Sequence, residues 1–103
     1  MKLAYNSVFE ADFAELVVHF NEVGGLILSR RFEDDVITLT ENLLKFPEMG
    51  RRRDDLKPEG LRSFRLRHFS KYLLFYQVKG DELLLVRLRY GGMDLPMLFM
   101  TFN

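Results

Sequence analysis

The chain contains no cysteine. That excludes disulfides, thiolate metal sites and cysteine nucleophiles, and it suits a reducing cytoplasm. Histidine is almost as scarce: only His19 and His68 occur, so a histidine-rich metal site is not expected and no cofactor is implied. No apolar run approaches the length of a membrane span, and MKLAYNSVFEADF places acids where a secretion signal needs an apolar core. A phosphate-cradling glycine loop and a nucleophile elbow are also lacking. Net charge is zero, with 15 Lys/Arg against 15 Asp/Glu.

What is present is enough for one modest core. With 103 residues, 48% of them hydrophobic, the chain reads as a single domain over 1–103. The neutral total conceals an uneven distribution. Residues 1–50 carry four cations and nine acids, a net of −5, whereas residues 51–72 carry eight cations and three acids, a net of +5. A dipolar chain of this kind can meet an anionic partner through its basic part, although basic runs such as Arg51-Arg52-Arg53 are usually solvated.

Two helices are expected first. Ser7-Val8-Phe9-Glu10 matches a capping box, and Phe9, Phe13, Leu16, Val17 and Phe20 form one apolar stripe ending near Glu22. Gly24-Gly25 breaks it; Leu28, Phe32, Val36, Leu39, Leu43 and Phe46 make a second stripe that Pro47 stops. Lys2–Tyr5 is a candidate short strand, residues 47–60 a polar loop, and Asp34-Asp35 and Asp54-Asp55 solvated pairs.

From Leu61 to Leu95 the pattern changes to period two. Lys79-Gly80-Asp81-Glu82 suits a two-residue turn at Gly80-Asp81, pairing Lys79 with Glu82, Gln77 with Leu84, Phe75 with Val86 and Leu73 with Leu88. A tight turn at Phe69-Ser70 would place Phe64 opposite Phe75. One sheet face then collects Phe64, Leu66, Leu73, Phe75, Leu84, Val86 and Leu88 against the helices. The other collects Arg65, Arg67, Tyr72, Leu74, Tyr76, Arg87 and Arg89. The expected fold is therefore α+β: a short N-terminal strand, an antiparallel helical hairpin, and an antiparallel sheet of three or more strands. The second face is either a solvated surface or a site, because guanidinium forks suit phosphate oxygens and tyrosines donate or stack. The apolar tail Pro96-Met97-Leu98-Phe99-Met100-Thr101-Phe102 completes the core or meets a partner.

These elements resemble the RelE/ParE superfamily of toxins from bacterial type II toxin–antitoxin modules. The resemblance runs through Glu10-Ala11-Asp12-Phe13, Phe46-Pro47-Glu48-Met49-Gly50-Arg51 and Gly60-Leu61-Arg62-Ser63-Phe64. Its most specific parts, Tyr72-Leu73-Leu74-Phe75-Tyr76 and Arg87-Leu88-Arg89-Tyr90-Gly91-Gly92-Met93-Asp94-Leu95, look like the ParE branch. That branch implies a cytoplasmic protein that inhibits DNA gyrase by binding it and is neutralised by a cognate antitoxin in a hetero-oligomer. DNA would be reached only through the antitoxin, and no membrane is involved. The implied target and antitoxin surface is Arg65, Arg67, Tyr72, Tyr76, Arg87, Arg89, Met97 and Phe99. The RelE-like alternative is a ribosome-dependent mRNA endoribonuclease, for which Arg65, Arg67, Arg87 and Tyr90 are the catalytic candidates. A third reading is a non-toxic relative that keeps antitoxin binding. Met93 stands where arginine is common, which removes a cation from the nuclease reading. A double substitution of Arg87 and Arg89 by alanine is expected to reduce toxicity while leaving the fold intact.

Overall fold

The computed structural model describes residues 1–92. Strand β1, Lys2–Tyr5, leads through Asn6 into a helical segment α1, Ser7–Lys45. Asn6, extended at φ −93° and ψ 172°, is the N-cap: its side-chain oxygen accepts from the Phe9 N–H at 2.8 Å. The cap thus falls one residue ahead of Ser7, because the extended residue that leaves β1 is already an amide able to satisfy an orphan helix donor.

Helical geometry fails inside α1 at Gly25, where φ is 76° and ψ is −170°. Only glycine adopts that region without strain. The two arms, residues 7–24 and 26–45, fold back on each other there. Phe13 and Phe32 have ring centroids 6.2 Å apart, although nineteen residues of straight helix would separate them by about 28 Å. Phe20 meets Phe32 at 4.8 Å. The expected hairpin is thus a single helical segment bent at one glycine. Gly25→Ala is expected to lower stability by about 1–3 kcal/mol, read by urea denaturation, because the left-handed backbone rather than any neighbour is the obstacle; an added Cβ meets nothing within 4 Å. Of the second stripe, Phe32, Val36, Leu39 and Leu43 are buried. Phe46 is not: it is the C-cap and is 64% exposed.

The sheet has five strands in the order β1-β5-β4-β3-β2, with β2 at Arg51–Arg52, β3 at Arg62–Arg65, β4 at Tyr72–Lys79 and β5 at Glu82–Tyr90. β1 runs parallel to β5, from Lys2 opposite Glu82 to Tyr5 opposite Leu85; all other pairs are antiparallel. The β4–β5 turn and its first pairs, Lys79 with Glu82 and Gln77 with Leu84, are as the sequence indicates, with Gly80 at φ 61°. β2 lies inside the expected loop, since two arginines carry no period-two signal.

Beyond those pairs the β4–β5 register departs from expectation at one point. A bulge leaves Tyr76 opposite Leu85 and Phe75 opposite Arg87, so Val86 is the extra residue. The alternation of β5 therefore changes phase at Val86. Leu83, Leu85 and Leu88, together with Leu74, Tyr76 and Leu66, join Phe9, Phe20, Phe32 and Leu43 in the main core. The second turn also differs: residues 66–71 form a longer loop, and Arg65 pairs with Leu73. Independently of the bulge, Leu73, Phe75 and Val86 keep the shared face that the sequence indicates but turn it away from the helices, which Tyr72, Leu74 and Tyr76 meet instead.

That opposite face is not open. Leu56 and Leu61, from the segment between β2 and β3, cover Leu73, Phe75 and Val86 in a second small core. Arg53 seals it. Its guanidinium bonds Asp55 through Nε at 3.1 Å and Nη2 at 2.9 Å, donates to the Ser63 hydroxyl at 3.2 Å, and lies 5.7 Å from the Phe75 ring centre. The hydrogen bond from Arg53 holds the Asp55 carboxyl below its ordinary value of 3.8.

Candidate functional site

The arginine face is redistributed by this register. Arg87 pairs with Phe75, and both Arg89 and Arg65 pair with Leu73, so these three arginines emerge on one side of the sheet. Arg67 does not join them; it lies exposed in the 66–71 loop, with Arg31 and His68 beside a cleft against α1. Arg65 is exposed, its Nη1 donating to the Ser70 carbonyl at 2.8 Å.

Arg87 and Arg89 converge on Asp12 of α1. β1 ends at Tyr5, opposite Leu85, so among the described residues no strand covers the edge of β5 from Val86 onward. The Asp12 carboxylate fills that edge: Oδ2 accepts from the Leu88 backbone N–H at 3.1 Å and from Arg87 Nε at 2.7 Å. Oδ1 accepts from Arg87 Nη2 at 3.1 Å and from Arg89 Nη1 at 3.2 Å. The side chains of Asp12 and Arg87 are 5% and 9% exposed. This is a helix-to-sheet clamp, and it reverses the expectation that Arg87 and Arg89 can be removed without cost to the fold.

The tyrosines separate as well. Tyr72 is half-buried in the aromatic cluster, 5.5 Å from Phe20 and 5.8 Å from Tyr90. Tyr90 is 43% exposed, beside Glu15, His19 and Arg89. Tyr76 is fully buried. Its hydroxyl donates to the Pro47 carbonyl and accepts from the Gly50 N–H, both at 2.8 Å. Burial pushes its phenol above the ordinary value of 10.0. The expectations for Met97, Phe99 and the tail 96–103 lie outside the described residues.

Asp35 is a second buried acid, and it corrects the expectation of a solvated Asp34-Asp35 pair, because the 66–71 loop folds over its carboxylate. One of its oxygens accepts the backbone N–H groups of His68 at 2.8 Å and Phe69 at 3.2 Å; the other faces His68 Nδ1 at 3.1 Å. It is a loop anchor, whereas its neighbour Asp34 is solvated. The available signal in both cases is position: Asp12 and Asp35 each precede a core residue of an apolar stripe, Phe13 and Val36.

One surface is openly apolar. Leu3 and Tyr5 of β1 and Ile37 of α1 are 46%, 55% and 52% exposed, and they border a groove of about 350 Å³ floored by Phe9, Val36 and Leu85. Among the described residues β1 is an edge strand, so the groove adjoins a sheet edge. Among the described residues no group of acids, histidines or cysteines could hold a metal ion, and no helix is long and apolar enough to cross a membrane.

The strand–hairpin–sheet arrangement defines a small α+β fold that solved structures share. A chain from "Chromosomal ParDE TA system from P. aeruginosa" superposes with a TM-score of 0.73 at 20% identity, covering 87% of this chain and 95% of that one. A "YoeB/ParE toxin from Agrobacterium tumefaciens" gives 0.60 at 20% identity, covering 87% and 98%. No curated protein matches significantly. The profile described as ParE toxin of type II toxin-antitoxin system, parDE, matches residues 3–95. The chain belongs to the ParE toxin family.

Proposed function

We propose that the protein is a ParE-like toxin that acts by binding, inhibiting DNA gyrase, and that a cognate antitoxin neutralises it in a hetero-oligomer in the cytoplasm. The observation carrying a binding reading over a nuclease is the commitment of Arg87 to Asp12. A buried guanidinium held bidentately by a carboxylate is not placed to stabilise a developing phosphorane charge. The groove beside β1 supports antitoxin docking: an amphipathic segment can bury apolar side chains against Tyr5, Phe13 and Ile37. Arg65, exposed and on the same side of the sheet as Arg89, is the target-surface cation whose removal spares the fold.

The purified chain is expected to inhibit gyrase supercoiling and to leave ribosome-bound message intact. Arg65→Ala should reduce that inhibition several-fold with an unchanged denaturation midpoint. Message cleavage without gyrase inhibition would overturn the proposal in favour of a RelE-like nuclease, for which Arg65, Arg67 and Tyr90 remain exposed. Silence in both assays, with antitoxin binding retained, would mark a non-toxic relative.

A further inference from the structure

Among the described residues the sheet has a second edge strand without an outer neighbour, β2, at the end opposite β1. There a cleft of about 540 Å³ lies between the end of α1 and the start of β2. Its cations are Lys45, Arg52 and Arg62, and its own acid is Glu48. Arg62 is half-buried, and its Nη1 donates to the carbonyls of Gly50 at 2.8 Å and Glu48 at 3.2 Å. Neutral carbonyls orient a guanidinium without cancelling its charge. Among the described residues Arg52 contacts Asp54 at 3.3 Å, an exposed pairing worth little in water. With exposed Arg51 alongside, the edge keeps a positive excess. Apolar walls complete the cleft: Phe46, Met49 and Val78 are 64%, 39% and 38% exposed.

The backbone is oriented to receive a strand. The Arg53 N–H bonds the Leu61 carbonyl at 2.8 Å, so residues 51 and 53 direct their polar groups toward β3 and Arg52 directs its own outward. Alternating cations and apolar walls beside an outward-facing donor and acceptor match an extended peptide with alternating acidic and apolar side chains.

We infer that the β2 edge is a docking site for an extended acidic–apolar peptide segment of a partner protein, added as a sixth strand with a carboxylate over Arg62. It is distinct from the β1 groove, whose rim carries Glu10 and Glu41, and it holds whether or not gyrase is the target. Charge separates the two edges: one repels an acidic segment and the other attracts it.

The test uses the full chain and a fluorescein-labelled octapeptide of alternating glutamate and leucine, with binding read by anisotropy and located by amide NMR shifts. Binding should shift residues 45–52 and Val78, leave Leu3 and Tyr5 unmoved, and weaken as salt rises. Lys45→Glu plus Arg52→Glu, both exposed, should weaken binding at least ten-fold, whereas Arg30→Glu should not. Shifts confined to the β1 groove, or equal binding by the charge-reversed variant, would overturn the proposal. Tighter capture of a labelled oligothymidylate, abolished by the same pair of substitutions, would overturn it in favour of a single-stranded nucleic acid surface.

Discussion

Asp12→Ala is expected to be among the most damaging single substitutions in this domain, lowering the folding free energy by about 3–5 kcal/mol. Asp12 gives one carboxylate to two guanidinium groups and to the Leu88 backbone N–H at the point where β1 stops covering β5. Alanine would leave Arg87 charged and buried without this partner and Leu88 with an unmet donor, and an unpaired buried charge costs more than the pair contributes. Small domains have only about 5–15 kcal/mol in total, so a large part of the population would unfold under mild urea. Asp12→Asn keeps an acceptor and should lose distinctly less. Urea titration followed by circular dichroism decides it; a loss under about 1 kcal/mol would show that the clamp is dispensable. By the same reasoning, the Arg87 and Arg89 double substitution reports on folding before it reports on toxicity.

The second large effect is expected at the contact between Tyr76 and Gly50. A Cβ on Gly50 would lie 2.4 Å from the Tyr76 hydroxyl and 2.7 Å from Cε1, inside a fully packed region. Gly50→Ala should therefore cost about 1–3 kcal/mol by overpacking. Tyr76→Phe should cost a similar amount, about 1–3 kcal/mol, because the Pro47 carbonyl and the Gly50 N–H lose their partner. The two must couple. Removing the hydroxyl removes the nearest obstacle, so the double variant should be more stable than the sum of the single losses indicates. Strict additivity would mean that the ring carbons Cε1 and Cζ, 2.7 and 2.9 Å from the added Cβ, limit the site rather than the hydroxyl. The wild-type chain should also lose stability as pH rises above 10.0, the phenol's ordinary value, through the higher value it has when folded. Below that range both states hold the proton; above it the unfolded state releases its proton first, and unfolding is favoured. Tyr76→Phe should flatten this alkaline loss.

The helical arms, β1 and the β4–β5 turn were legible because each is local. Apolar residues at helical spacing, two adjacent glycines and a Lys-Gly-Asp-Glu turn report directly on nearby backbone. The face assignment of the sheet was not legible, although the alternation looked complete. One inserted residue, Val86, inverts the phase of half a strand, and nothing in Leu84-Leu85-Val86-Arg87-Leu88 distinguishes a bulge from regular pairing. The longer 66–71 loop was hidden for a related reason. Its anchor is Asp35, more than thirty residues upstream, whose carboxylate supplies the acceptors that a tight turn would provide itself.

The candidate site divides in the same way. The sequence alone established a chain without cysteine chemistry, a helical hairpin before a β-meander, and a basic second half rich in arginine and tyrosine. Tertiary structure decided what those arginines do. Arg53 seals a small core with Asp55, Arg87 is held by Asp12, and Arg62 keeps its charge among carbonyls. Arg65 is left exposed on the sheet. Residue type and spacing carry a side chain's charge and reach, but its partner is set by contacts across as many as 77 residues of sequence, as between Asp12 and Arg89. Only folding brings these groups together, and burial then separates the arginines that hold the structure from those left for a partner.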